Sequence, residues 1–172
     1  SSAASDVYKR QTYDHLGHGR SVRRKKEIGF FQLSKPDKRL VADAEMMADY
    51  LAGKYPDVPH FILGHSMGSF ITRCLLQTAS KKFTGAIITG TGGPLRGISL
   101  LQGYLSLANF IAPHHRTFLN SVFTKVNNKR FKKDKDFGET SWLSINTRNR
   151  GAFEQDDLCG IPFTNNAFYT LF

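Results

Sequence analysis

Gly64-His65-Ser66-Met67-Gly68 constrains this chain more than any other stretch. It follows the apolar run Phe61-Ile62-Leu63 and leads into Ser69 to Leu76, a segment that can pack as a helix. A strand, then Gly-x-Ser-x-Gly, then a helix is the pattern of a nucleophile elbow. A serine on that sharp turn is strained so that its hydroxyl stands above the sheet. Side chains two residues to either side are expected to crowd the turn, which accounts for both glycines. The helix that follows turns its N-terminal dipole and free amides toward the serine. Ser66 is therefore the candidate nucleophile, and the Met67 N–H a candidate oxyanion donor. The alternative is a glycine-flanked strand-to-helix turn of the kind any α/β protein can contain.

The periodicity around the motif supports an α/β order. Pro36 to Lys54 is the clearest helix, with Pro36 in its first turn and an apolar stripe at Leu40, Ala44, Met47 and Leu51. Gly53 and Pro56 close it. His60 to Leu63 reads as a strand and Ser66 to Thr78 as a helix, with Phe70, Ile71, Cys74, Leu75 and Thr78 on or near one face. Ala86-Ile87-Ile88-Thr89-Gly90 reads as a second strand. Its unbroken apolar character suits a parallel sheet covered on both faces. Gly90-Thr91-Gly92-Gly93-Pro94 lacks the Gly-Lys-Ser/Thr ending of a phosphate loop, so it reads as a turn at the carboxyl end of a strand. That edge is where ligands enter open α/β sheets. Tyr13-Asp14 reads as the end of an earlier strand, followed by a turn through Gly17 and Gly19.

Beyond Leu95 the alternation of strand and helix stops. Ile98 to Ala112 is apolar and helical in pattern, and Phe118, Leu119, Val122, Phe123 and Val126 form a further stripe at helical spacing. This half reads as a helical cap. Three parts follow: a non-native leader at 1–11, a partial core at 12–94 and a cap or lid at 95–172. The leader lacks periodicity and resembles translated linker sequence, so it is set aside from fold reasoning.

Composition narrows the class. Of 172 residues, 40% are hydrophobic and 22% charged, an ordinary globular balance. No apolar run reaches the length of a membrane-spanning helix. Two cysteines far apart and no visible signal peptide point to a reducing, cytoplasmic setting. The net charge of +10 is clumped at Arg20 to Lys26 and at Lys125 to Lys135. Such clusters either attract an anionic surface such as phospholipid headgroups or are simply solvated faces. No nucleic-acid-binding signature accompanies them, and no nucleic acid is expected as a partner. No cluster has metal-ligand spacing, and neither metal nor cofactor is expected.

Several segments together resemble a known family. They are Asp14-His15-Leu16-Gly17-His18-Gly19-Arg20-Ser21, Pro59 through Phe70, Gly90 through Pro94, Trp142-Leu143-Ser144 and Asp157-Leu158-Cys159-Gly160. The chain resembles the α/β-hydrolases of the monoacylglycerol-lipase-like and lysophospholipase-like group, of the serine aminopeptidase S33 type. Family members usually carry arginine where this chain has Leu16. The resemblance implies a mostly parallel sheet flanked by helices, a helical lid, and Ser-Asp-His hydrolysis of an ester in a lipid-like substrate. It places the nucleophile at Ser66 and one oxyanion donor at Met67. A second donor would come from a His-Gly loop ahead of residue 12, and the acid and base from beyond the lid. The chain is thus expected to be an incomplete piece of a longer hydrolase, inactive alone. Asp14, His15, His18 and His65 read as structural, and His114, His115, Asp156 and Asp157 as cap residues rather than triad members.

An acyl chain needs a long apolar wall. Leu105, Phe118 and Phe123 of the cap are the candidate substrate-binding residues, with cap packing as their other reading. The leading function is serine hydrolysis of monoacylglycerol or lysophospholipid, with peripheral contact to an anionic membrane. Two alternatives stay open. One is an α/β-hydrolase acting on a small ester, a peptide or an acyl acceptor. The other is a basic module that binds a membrane surface or nucleic acid without catalysis.

Overall fold

The computed structural model describes residues 9–93 and 97–172. Most of the leader, and Pro94 and Leu95 at the expected domain boundary, lie outside the described residues. The elements are α1 (Pro36–Lys54), β1 (Phe61–His65), α2 (Met67–Ala79), β2 (Gly85–Thr89), α3 (Ile98–Ile111), α4 (Leu119–Asn128), α5 (Thr147–Gln155) and α6 (Asn165–Leu171). Strands β1 and β2 pair in parallel, from Phe61 opposite Gly85 to His65 opposite Thr89. The fold is α/β, with α2 as the crossover between two parallel strands.

One apolar cluster holds these pieces. Leu40 and Ala44 of α1 meet Ile71, Leu75 and Ala79 of α2, together with Phe31 and with Ala167 of α6. Ile62 of β1 packs on the same cluster from the sheet side. Helix α2 is therefore sandwiched between α1 and the sheet, which fixes where its N-terminus stands. Lys82, in the turn after α2, reaches back to Glu45 and Asp49 on α1. That exposed pair of contacts is worth little in stability, but it marks the packed edge of the two helices.

Several expectations are corrected. Tyr13-Asp14 has no assigned secondary structure and pairs with neither strand, so it forms no strand among the described residues. Among the described residues the sheet is covered on one face only. Phe61, Leu63 and Ile87 project from the other face, and Leu63 and Ile87 keep 65% and 53% of their surface exposed. An apolar run shows that a strand can be buried on both sides, but only a second layer of helices buries it. On α2, Cys74 and Thr78 are exposed, and the buried line runs through Ser69, Ile71, Thr72, Leu75 and Ala79. Small polar side chains face the sheet there because Gly64 brings the strand too close for large ones.

The chain after β2 is helical, as the periodicity predicts. However, Phe118, Val122, Phe123 and Val126 are exposed rather than buried along α4. Helix α3 packs against α6, and Leu105 is fully buried. Helices α5 and α6 carry N-caps that explain their starts. The Asn146 side chain accepts from the Arg148 and Asn149 N–H groups, and Thr164 accepts from Ala167.

Candidate active site

Ser66 lies between the last residue of β1 and the first of α2, with φ 51° and ψ −119°. This is a positive-φ conformation outside the left-handed helical well, one that L-residues rarely adopt. Strain of this kind, of the order of 1–3 kcal/mol, is held only by the surrounding structure and concentrates at functional sites. Two hydrogen bonds hold it. The Ser66 N–H donates to the Thr89 carbonyl at 3.1 Å, tying the turn to β2. The Ser66 carbonyl accepts from the Ser69 N–H at 2.9 Å and from the Ser69 hydroxyl at 2.5 Å. The Ser66 hydroxyl itself has no hydrogen-bond partner among the described residues and is half-buried. It stands at the N-terminus of α2, where the Met67 N–H has no backbone acceptor among the described residues.

The two motif glycines are not equivalent. A Cβ at Gly64 would lie 2.4 Å from the Gly68 carbonyl oxygen and 2.5 Å from the Thr72 hydroxyl. The strand and the first turn of α2 touch backbone to backbone there. A Cβ at Gly68 would meet nothing within 4 Å, so the expectation that crowding demands glycine at both positions holds at Gly64 and is corrected at Gly68.

The loop after β2 runs beside the turn. Gly90, at φ 59°, leaves room for the His65 ring; a Cβ there would sit 3.2 Å from its Nε2. Arg73 of α2 donates to the Thr91 hydroxyl at 3.3 Å and to the Gly92 carbonyl at 3.0 Å. Phe70 lies over Gly92. The elbow helix thus anchors the glycine loop that borders Ser66, an arrangement invisible to motif reading because Arg73 belongs to no motif.

The other candidates sit elsewhere. Asp14 accepts from the Arg20 N–H at 2.9 Å through its carboxylate, and its carbonyl accepts from the Ser21 hydroxyl at 2.6 Å. It closes its own turn. His15 is edge-on to Tyr13, its Nδ1 is buried without a partner, and burial pushes its pKa down. The same burial, with the Asp43 charge, pushes Tyr13 up to about 12. His18 contacts the Leu16 carbonyl through Nδ1, and His114 the Lys26 carbonyl, each at 3.0 Å. No histidine ring among the described residues hydrogen-bonds to Ser66 or to a carboxylate. No group of three or more His, Cys, Asp or Glu residues among them stands close enough to hold a metal ion.

The candidate substrate residues are dispersed. Leu105 lines a cleft of about 500 Å³ with Pro36, Gln102, Tyr169 and Phe172. Phe118 is exposed beside Tyr104, and Phe123 is edge-on to Trp142 at 5.3 Å. A second cleft of about 310 Å³ lies between Val22, Ile28, Arg116 and the Asp157 to Pro162 segment. Ser66 lines neither cleft.

Sequence reasoning missed a polar clasp built by Thr164, Asn165 and Asn166. The Asn166 side chain accepts from the Phe31 N–H at 3.0 Å and donates to the Gln32 carbonyl at 2.8 Å and to the Asn109 side chain at 3.1 Å. Thr164 donates to the Gly29 carbonyl at 2.6 Å, and Asn165 to the Ala112 carbonyl at 2.9 Å. These residues are almost fully buried and join the 29–32 loop, the end of α3 and α6. Two consecutive asparagines after Pro162-Phe163-Thr164 were the available signal.

A serine held at a positive φ between a parallel strand and the helix that crosses to the next strand is the arrangement of an α/β-hydrolase. The chain belongs to the serine aminopeptidase S33 family, whose model matches residues 5–172. Among curated proteins, it is similar to monoglyceride lipase of Mus musculus, with 30% identity over 105 residues, 59% of this chain and 33% of that protein. The monoglyceride lipase homolog of monkeypox virus is 35% identical over 77 residues, 45% of this chain and 26% of that protein. Human monoglyceride lipase is 30% identical over 76 residues, 44% of this chain and 23% of that protein. The chain spans about a third or less of the length of the curated relatives it matches.

Proposed function

We propose that this chain carries the nucleophile-bearing part of a cytoplasmic serine ester hydrolase acting on a lipid-like ester such as monoacylglycerol or lysophospholipid. The observation that carries the reading is the strained backbone at Ser66. In this mechanism the Ser66 hydroxyl attacks the ester carbonyl carbon while a general base takes its proton. The tetrahedral oxyanion is stabilised by the Met67 N–H at the positive end of α2. The oxyanion collapses, the C–O bond to the glycerol oxygen breaks, and that oxygen takes the proton from the base. The resulting acyl-enzyme is cleaved by water, which the same base deprotonates, and Ser66 regains its proton.

Base and acid are proposed to come from other parts of a relative-length protein, since no histidine ring among the described residues hydrogen-bonds to Ser66. The 172-residue chain alone is then expected to hydrolyse p-nitrophenyl esters no faster than its Ser66→Ala form. The lipid choice is supported by the similarity to monoglyceride lipases and by the apolar residues of α3 and α4. Leu105, being buried, would act by shaping the cap, whereas Phe118 and Phe123 are free to meet an acyl chain. Two free cysteines, Cys74 and Cys159, support a reducing compartment.

The family's own description as a serine aminopeptidase supports a second reading, in which the same serine attacks an amide. A relative-length protein decides between them. Long-chain monoacylglycerol turned over with a much higher kcat/KM than an aminoacyl p-nitroanilide supports the ester reading; the reverse order overturns it.

A further inference from the structure

Arg73 is the only charged side chain of α2. It stands one turn beyond Phe70 on the same face of the helix, and both reach the loop after β2. One guanidinium nitrogen, Nη1, donates to the Gly92 carbonyl at 3.0 Å and to the Thr91 hydroxyl at 3.3 Å. The Phe70 ring lies against Gly92, where a Cβ would come within 3.3 Å of its Cζ. Among the described residues, Thr91 and Gly92 make no other hydrogen bond.

That loop needs holding. Three of the four residues from 90 to 93 are glycine, the residue that loses most conformational freedom when it is ordered. All four are exposed. The loop also starts at the candidate nucleophile. The Thr89 carbonyl accepts from the Ser66 N–H at 3.1 Å, and a Cβ at Gly90 would lie 3.5 Å from the Ser66 nitrogen. The loop leaves the carboxyl end of β2, the edge of the sheet where ligands enter. Ser66 keeps its own ties to Thr89 and Ser69, so releasing the loop beyond Gly90 leaves the serine in place.

We propose that Arg73 is a positioning residue: it clamps Thr91 and Gly92 against α2 and so fixes the loop as a wall of the substrate site beside Ser66. This role rests on Ser66 being the nucleophile. Phe70 supplies the plate on which Gly92 lies, and Arg73 the clasp that closes over it. A guanidinium suits the task, because it stays charged and its Nη1 carries two hydrogens in the plane of the fork, one for each acceptor. A lysine in its place can still reach one of them. The wall meets the substrate in the ground state and in the transition state alike. Loosening it therefore weakens binding and leaves the chemical step alone.

The test is steady-state hydrolysis of a neutral p-nitrophenyl ester by a relative-length protein, with fluorophosphonate labelling of Ser66 followed in parallel. Arg73→Met keeps a long side chain and removes its donors; it is expected to raise KM roughly tenfold. Its kcat should stay within about twofold of wild type, with an unchanged circular dichroism spectrum and full Ser66 labelling at saturating probe. Arg73→Lys should recover most of the KM. A merely structural role would instead lower kcat by shrinking the folded fraction and leave KM alone, and that result would overturn the clamp. So would an Arg73→Lys protein as impaired as Arg73→Met. A KM rise confined to a lysophospholipid and absent with the neutral ester would overturn it too, by making Arg73 a contact for the headgroup phosphate. Each of these results, obtained with Ser66 labelled, overturns the clamp and leaves the nucleophile standing. A wild-type protein that turns over the ester without label on Ser66 overturns both.

Discussion

Replacing Gly64 by alanine tests the packing of the Ser66 turn. The new Cβ would stand 2.4 Å from the Gly68 carbonyl oxygen, 2.8 Å from the Gly68 carbonyl carbon and 2.5 Å from the Thr72 hydroxyl. Rotating Thr72 relieves one of these contacts; the other two are backbone. The first turn of α2 would have to retreat by about 1 Å to restore ordinary contact. It cannot do so freely, because its far side presses Ile71 and Leu75 against Leu40 and Ala44 of α1. Overpacking a close-packed site costs about 1–3 kcal/mol, and an immovable backbone partner puts Gly64→Ala at the upper end. For a chain of this size, about 3 kcal/mol lowers Tm by roughly 6–12 °C. Gly68→Ala is the internal control. It meets no atom within 4 Å and lies in a helix, where alanine is favoured over glycine by about 1 kcal/mol. Its Tm should be unchanged or slightly raised. Thermal melts followed by circular dichroism at matched concentration measure both. Equal destabilisation by the two substitutions, or a Gly64→Ala protein within about 0.5 kcal/mol of wild type, would refute the reasoning.

The buried Asn166 should behave as a structural hub. Asn166→Ala strands the Phe31 N–H and the Gln32 carbonyl and should cost about 3 kcal/mol in urea denaturation, while Asn127→Ala on the surface should cost less than about 0.5. His15 should make stability depend on pH. Burial, then the neighbouring His18, lowers its pKa below the ordinary 6.5, against opposing pulls from Asp43 and Asp14. The unfolded chain therefore binds the proton more tightly, and its contribution is complete above 6.5 and lost as pH falls below that value. His15→Asn should flatten this part of the profile when urea midpoints are compared at about pH 7.5 and about pH 5.5.

Motif and periodicity made the heart of the molecule readable. Pro36 to Lys54 is helical at the residues where the Leu40/Ala44 stripe and the flanking prolines place it. The strand–turn–helix around Ser66 follows from the motif and the apolar run before it, although only Gly64 of the two glycines is demanded by close backbone approach. What escaped reading depended on partners distant in sequence. Whether Ile87 is covered depends on a second layer, and no strand can announce its own neighbours. The exposure of Cys74 follows from the closeness of Gly64 to Thr72, which rotates α2 from the position its apolar pattern suggests. The Asn166 clasp spans some 130 residues, and polar side chains carry no periodic signature when they bond to backbone in irregular loops. The apolar pattern of Ile98 to Ala112 does not separate exposed Phe110 and Ile111 from buried Leu105: apolarity reports what could be buried, not what is.

Ser66 is proposed as the acyl-accepting nucleophile. Its most direct measurement is peptide mapping by mass spectrometry after a relative-length protein has reacted with a fluorophosphonate probe. One phosphonyl adduct on Ser66 is expected, with no labelling of the Ser66→Ala protein, whose circular dichroism spectrum should be unaltered. Undiminished labelling of Ser66→Ala, or an adduct mapped to a different residue, would contradict it.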